Sequence, residues 1–183
     1  MQKDDAARQA LRRLKEGNQT YLKAEKSVGD ISPQKRLFAF QNGQSPYAVI
    51  VSCADSRVIP ESIFSAGIGE LFIVRAAGNV IDDFALGSIE YAVEHLNCPL
   101  VVVMGHTGCG AVGAAGKANG GYLRRITDEI ARAAHGERDG VKASILNVKH
   151  GAQKIKSALK NLKDLQVIGA LYHTESGVVD FDL

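Results

Sequence analysis

The sequence predicts an α/β fold, with a mostly parallel central β-sheet flanked by helices, an N-terminal helical arm and a C-terminal antiparallel edge strand. Three observations carry that prediction. Four short and nearly continuous apolar runs, YAVIVSC at 47–53, LFIV at 71–74, PLVVVMG at 99–105 and QVIGALY at 166–172, read as strands buried on both faces. Helical periodicity occupies much of the chain between them. Strands that alternate with helices close into a covered parallel sheet through right-handed crossovers.

Taken in order, residues 4–26 form an amphipathic arm, with Ala7, Leu11, Leu14, Tyr21 and Leu22 at helical spacing. Gly17 and Asn18 weaken its centre, so a break is expected there. The arm precedes the sheet with no strand to anchor it, and packing on a neighbouring subunit is expected. Ser32-Pro33 supplies an N-cap and a first helical position for a short helix through Phe40. A loop, QNGQSP at 41–46, leads into the first strand. Residues 83–96 are helical by the spacing of Phe84, Leu86, Ile89, Ala92, Val93 and Leu96. Further helical patterns follow the third strand at 109–116, 122–134 and 141–162. Residues 174–177 form a turn, and 178–181 a short antiparallel edge strand. The whole reads as one domain over 1–183, with a helical arm over 1–40 and an α/β core over 46–183.

Composition narrows the function. The chain is 183 residues, 45% hydrophobic, with a net charge of +2, which suits an ordinary globular core and no disordered one. Lys and Arg form no long block, so nucleic-acid binding is not expected. No apolar run approaches the roughly 20 residues that span a bilayer, so no membrane partner is expected. The first residues, MQKDD, do not resemble a secretory signal. Three cysteines, an odd number, argue against a disulfide framework. A cytoplasmic, reducing location is expected, with Cys53, Cys98 and Cys109 as thiols.

The chemistry gathers at strand ends. Cys53 ends the first strand, His106 follows the third and Cys109 opens the next helix. Carboxyl ends of parallel strands converge on one crevice, so these three can meet. Two thiolates and an imidazole suit Zn²⁺ and leave a fourth tetrahedral position. Cys98 lies before the third strand, at the wrong end to fill it. Asp55, two residues past Cys53, either closes the site as fourth ligand or lies beside it while water takes the position. Arg57 decides between the two. A guanidinium can hold both carboxylate oxygens, which turns Asp55 into an acceptor for the metal's water. With Arg57 displaced, Asp55 can ligate zinc and shut the site. Zn²⁺ with two thiolates and a neutral imidazole is formally neutral, so its water is acidified less than at a three-histidine site and activity should rise toward alkaline pH.

These residues resemble the β-class carbonic anhydrases. The resemblance rests on CADSR at 53–57, VRAAGN at 74–79 and GHTGCG at 105–110, in order and in register, and extends over residues 35–183. It implies zinc-dependent reversible hydration of carbon dioxide to bicarbonate and a proton, by attack of zinc-bound hydroxide. It assigns Cys53, His106 and Cys109 to the metal and Asp55 with Arg57 to a catalytic dyad. It also implies a homodimer or higher homo-oligomer with active sites at the subunit boundary. The plant-like, type I branch is favoured. There Gln44 would bind substrate together with the backbone N–H of Gly110, and Phe72 and Tyr91 would line the pocket. Gln44, Phe72 and Tyr91 would reach the site from the partner chain. Gln44 also suits an ordinary loop amide, and Phe72 and Tyr91 an ordinary core. The other branch has an inhibitory bicarbonate site on Trp, Arg and Tyr. Here Ile50 stands at the Trp position, with Arg75 and Tyr172 at the others, so inhibition through that site is not expected. Two alternatives stay open: a non-catalytic zinc module with Asp55 as a permanent ligand, and the same fold acting on CS₂ or COS.

Overall fold

The computed structural model describes residues 3–117, 120–162 and 165–183. Helices α1 (Lys3–Tyr21) and α2 (Pro33–Asn42) precede strand β1 (Ala48–Cys53). Then come α3 (Pro60–Ile63), β2 (Leu71–Ala76), α4 (Asp83–His95) and β3 (Leu100–His106). Helices α5 (Gly110–Ala114), α6 (Leu123–Ala134) and α7 (Gly140–Ala158) lead to β4 (Gln166–Tyr172) and β5 (Val179–Asp180). The sheet has five strands in the order β2-β1-β3-β4-β5. All pairings are parallel except β4 with β5, which is antiparallel. The predicted class and the predicted edge strand are both present.

Alternation along each strand divides the core between the two faces of the sheet. Ala48, Ile50, Leu100, Val102 and Met104 face α1 and α3, where Ala7, Ala10, Leu14, Ile63 and Phe64 cover them. Val49, Val51, Val101 and Val103 face α4 and α7, which contribute Ile89, Ala92, Val148, Ala152 and Ile155. Burying each of the larger aliphatic chains stabilises the fold by roughly 1.5–3 kcal/mol. Because both faces are covered, the strands carry apolar residues throughout, which is why they read as unbroken runs.

One expectation for the arm is corrected. Helix α1 is continuous through Gly17 and Asn18. A Cβ on Gly17 would stand 2.0 Å from the Phe64 carbonyl oxygen, so glycine is what lets the helix approach α3 this closely. Asn18 is buried; its amide donates to the Ile63 and Gly177 carbonyls, and its oxygen accepts from the Val179 N–H. The apolar face of α1 therefore packs on the chain's own sheet, through Ala7, Ala10 and Leu14. Helix α2 behaves differently. Ser32 caps it by accepting from the Lys35 N–H, yet none of its residues is buried, and Phe38 and Phe40 are exposed.

Strand order positions the site. The chain leaves β1 toward β2 on one side and later enters β3 on the other. The carboxyl ends of β1 and β3 are thus neighbours at the point where strand order reverses, the usual crevice of open α/β sheets. Register pairs Ser52 with Met104, which brings Cys53 and His106 to the same edge across 53 residues of sequence.

Candidate metal centre

Cys53 is the last residue of β1, His106 the last of β3, and Cys109 the N-cap of α5. All three are buried. The Sγ atoms of Cys53 and Cys109 are 4.0 Å apart. One ligand atom from each of the three residues lies within 4.8 Å of the others. Tetrahedral Zn–S bonds of about 2.3 Å place two sulfurs about 3.8 Å apart, so the thiols need contract by only a few tenths of an ångström.

The imidazole shows which atom would ligate. His106 Nδ1 lies 3.0 Å from the Thr107 carbonyl, which can only accept, so Nδ1 carries the proton. Nε2 is left as a lone pair, buried and without a hydrogen-bond partner among the described residues. A buried polar atom aimed between two thiols is costly unless something fills the space. A divalent cation fits the two sulfurs and this nitrogen.

Backbone donors prepare the sulfurs. Cys53 Sγ accepts from the Gly78 N–H at 3.2 Å and the Asp55 N–H at 3.4 Å. The backbone N–H groups of Val112 and Ala111, in the first turn of α5, favour the Cys109 thiolate, although Cys53 and burial oppose it. Without a cation the two thiols share one proton. The neighbouring Cys109 thiol and the two N–H donors hold the Cys53 thiol below its ordinary value, against burial. Cys109 is pushed up by the Cys53 thiolate and by burial. A coordinated cation would take the place of that shared proton.

Gly78 deserves its glycine for two reasons. It sits at φ +66° in the 3-10 turn Ala77–Asn79, where an L side chain is strained. A Cβ there would also stand 2.5 Å from Ile130 Cδ1 and 3.1 Å from Ala111 Cβ. The sequence shows Gly78 within the VRAAGN motif at 74–79, but does not mark it as the donor to a ligand sulfur.

Asp55 is held by Arg57. Its Oδ1 accepts from Arg57 Nε at 3.0 Å and from the Arg57 backbone N–H at 2.9 Å, and its Oδ2 accepts from Nη2 at 2.8 Å. Those bonds keep its carboxyl well below the usual carboxylate range. Oδ2 nevertheless lies 3.9 Å from His106 Nε2, at the mouth of the cluster. Arg57 Nη2 also donates to the Gly108 carbonyl, tying the loop after β1 to the loop after β3. Arg75 donates to the carbonyls of Cys53 and Asp55 and so fixes the end of β1.

The remaining predicted residues divide. Gly110 follows Cys109, opens α5 and is exposed beside the cluster. Gln44, Phe72 and Tyr91 are not brought to the cluster within one protomer. Gln44 is exposed in the loop before β1, at the opposite end of the sheet. Phe72 pairs with Val49, whereas Cys53 pairs with Ala76. That offset is about 13 Å along the strand. The Phe72 ring lies 6.3 Å from that of Tyr91, a residue 47% exposed whose ring is 5.3 Å from His95. Cys98 is remote and buried; its thiol donates to the Pro46 carbonyl and is pushed up to about 12 by burial.

Comparison with known proteins agrees with this geometry. A family model described as carbonic anhydrase matches residues 48–179. Carbonic anhydrase 2 of Mycobacterium tuberculosis is 47% identical over 139 residues, covering 72% of this chain and 67% of that protein. Among solved structures, a Coccomyxa β-carbonic anhydrase in complex with acetazolamide is 29% identical with a TM-score of 0.68, over 81% of this chain and 78% of that one. A tetrameric β-carbonic anhydrase of Sordaria macrospora also gives a TM-score of 0.68, over 81% and 91% of the two chains. At 23% identity that last likeness is one of fold.

Proposed function

Since the chain belongs to the carbonic anhydrase family, in its β class, we propose that it hydrates carbon dioxide reversibly to bicarbonate and a proton at a zinc ion held by Cys53, His106 and Cys109. The observation that carries the proposal is the unpartnered Nε2 of His106, facing two thiols, with an arginine-held carboxylate 3.9 Å away. Zinc bound there would supply Lewis-acid activation of water for addition to carbon dioxide.

The chain's own groups do the rest. Asp55 offers Oδ2 as a hydrogen-bond acceptor at the mouth of the cluster, and so orients the attacking water and accepts its proton in passing. Arg57 keeps that carboxylate ionised and turned away from the metal. A structural site has no use for such a lever, which favours catalysis over a non-catalytic zinc module. The Gly110 N–H and the Gln44 amide hold the oxygens of the substrate, while Phe72 and Tyr91 line an apolar pocket. Gln44, Phe72 and Tyr91 come from a second subunit in this scheme. Two features support that assembly: the exposed apolar residues of α2, and the position of β2 at the edge of the sheet.

The plant-like branch is supported by the surroundings of Ile50. Ile50 packs in the same core cluster as Met104 and Tyr172. The Tyr172 hydroxyl is bonded to that of Tyr21, and Arg75 is engaged by two carbonyls. Ile50 offers no indole N–H, and Tyr172 is buried and bonded to Tyr21, so these positions lack the Trp and a free Tyr for that bicarbonate site.

The test is stopped-flow hydration of carbon dioxide near pH 8.5, with zinc content measured on the same sample. Asp55→Ala should retain one zinc per chain and lose about 10²-fold in turnover, the lower end for a positioned acid or base. A variant with full turnover would remove Asp55 from the mechanism. A zinc-loaded parent chain with no activity would favour the non-catalytic module.

A further inference from the structure

The loop after β4 carries a polar cluster that the reaction scheme does not use. Thr107 follows the ligand His106 and is buried. Its hydroxyl donates to Glu175 Oε2 at 2.7 Å. Thr107 Oγ1 itself accepts the Thr174 N–H at 2.9 Å and lies 3.0 Å from the Thr174 hydroxyl. One donor and two acceptor sites are thus all satisfied. The Thr107 N–H donates to the Tyr172 carbonyl at 3.0 Å. The Thr107 carbonyl, 3.3 Å from Thr174 Oγ1, is the acceptor of the His106 Nδ1–H.

We infer that Thr107 and Glu175 are positioning residues for His106, which set the tautomer and tilt of the ring through the Thr107 carbonyl. The inference rests on the proposed role of His106 as a metal ligand. A ligating histidine needs a fixed acceptor for its other N–H, commonly a carboxylate or a carbonyl, to hold its orientation. Here that acceptor is the backbone of the very next residue, and a peptide plane between a strand end and a turn can swing. Pinning it takes bonds on both sides. The Thr107 N–H, in the preceding peptide plane, is tied to β4, and the Thr107 side chain is tied to the turn that follows β4, so the residue is held before and beside that carbonyl. Glu175 gives the second tie its direction. Its carboxylate, held below its usual range first by the Thr107 hydroxyl, can only accept. The Thr107 proton therefore points to Glu175, and its lone pairs face Thr174. Both carboxylate oxygens are used, because Oε1 lies 3.4 Å from His173 Nδ1.

The test measures zinc affinity by competition with a chromophoric chelator, together with the visible spectrum of the cobalt-substituted protein. Thr107→Val keeps the side-chain shape and removes the hydroxyl. It should weaken zinc binding about 10- to 100-fold and shift the cobalt bands, as loss of a ligand's outer partner does. Glu175→Ala should weaken binding about 10-fold. Thr107→Ser and Glu175→Gln keep a hydroxyl and an acceptor oxygen, and should restore affinity to within about threefold of the parent. Melting of the zinc-free proteins separates positioning from plain stability. A lowered melting temperature with parental affinity and parental cobalt bands would overturn the inference. So would no change in any variant. Failure of the parent chain to bind one zinc would instead overturn the metal site itself.

Discussion

Substituting Gly78 by alanine should destabilise the protein by an amount that separates into two parts. The first is conformational: an L residue at φ +66° costs roughly 1–2 kcal/mol. The second is steric: the new Cβ would stand 2.5 Å from Ile130 Cδ1, an overpacking that costs roughly 1–3 kcal/mol. The expected total is about 2–5 kcal/mol. Ile130 is fully buried, so Ile130→Val alone should cost about 0.5–1.5 kcal/mol. That change removes Cδ1, the atom the new methyl group would strike. In the double variant the two costs should therefore not add. The pair should be about 1–2 kcal/mol more stable than their sum, a coupling of the size seen between touching residues. The conformational part should remain. Urea denaturation at fixed protein concentration, with zinc either chelated or in fixed excess, measures all four proteins on one scale. Loss of less than 1 kcal/mol in Gly78→Ala, or simple additivity in the double variant, would refute the reasoning.

Two further outcomes follow from the fold. Gly17→Ala should destabilise by more than about 2 kcal/mol, because its Cβ would lie 2.0 Å from a backbone oxygen, where no side chain can move aside. In an exposed helix the same change gains about 1 kcal/mol, so denaturation showing any gain would mean that α1 does not approach α3 this closely. Glu129 should contribute to acid stability: burial pushes its carboxyl up, but Lys154, then Arg132 and His150 outweigh burial and bring it from 4.5 to about 2. Its folded value is depressed, so its contribution is complete above pH 4.5 and is lost as pH falls toward about 2. The partners are partly exposed, so screening reduces that contribution to about 1–2 kcal/mol. Glu129→Gln should therefore lose less stability than the parent on acidification, and parallel curves would dismiss the pairing.

The strands were readable because each is covered on both faces, and continuous burial writes itself as continuous apolar sequence. The meeting of Cys53, His106 and Cys109 was readable because the carboxyl ends of neighbouring parallel strands converge. The bidentate hold of Arg57 on Asp55 follows from the two side chains' own shapes, two positions apart. What could not be read depends on contacts between distant segments. Gly17-Asn18 looks like a break because glycine and asparagine are weak helix formers. Both are selected by tertiary contacts, with Phe64, Ile63 and Gly177. Helix α3 is four residues long and opens on Pro60, too short to show a period. The bond from the Gly78 N–H to Cys53 uses no side chain at all and so leaves no trace in residue type.

Protein contacts alone hold Cys53, His106 and Cys109 together, although they lie far apart in sequence. Cys53 is held by the ladder of β1 with β2 and by Arg75 on its carbonyl. His106 is held by its pairing with Tyr172 in β4 and by the Thr107 carbonyl. Cys109 is held by the first turn of α5, and Arg57 joins the two ligand loops by bonding Asp55 and Gly108 together. None of these bonds involves a metal. The ordering cost of the site is therefore met by folding of the sheet, unlike in small zinc modules, whose chain orders only as the ion binds. Binding energy that would otherwise order the chain then goes into affinity, and the position of Asp55 is set by Arg57 rather than by the ion. A carboxylate whose position is set by Arg57 is what the proposed open site requires, because such a group can stay beside an ion instead of closing on it.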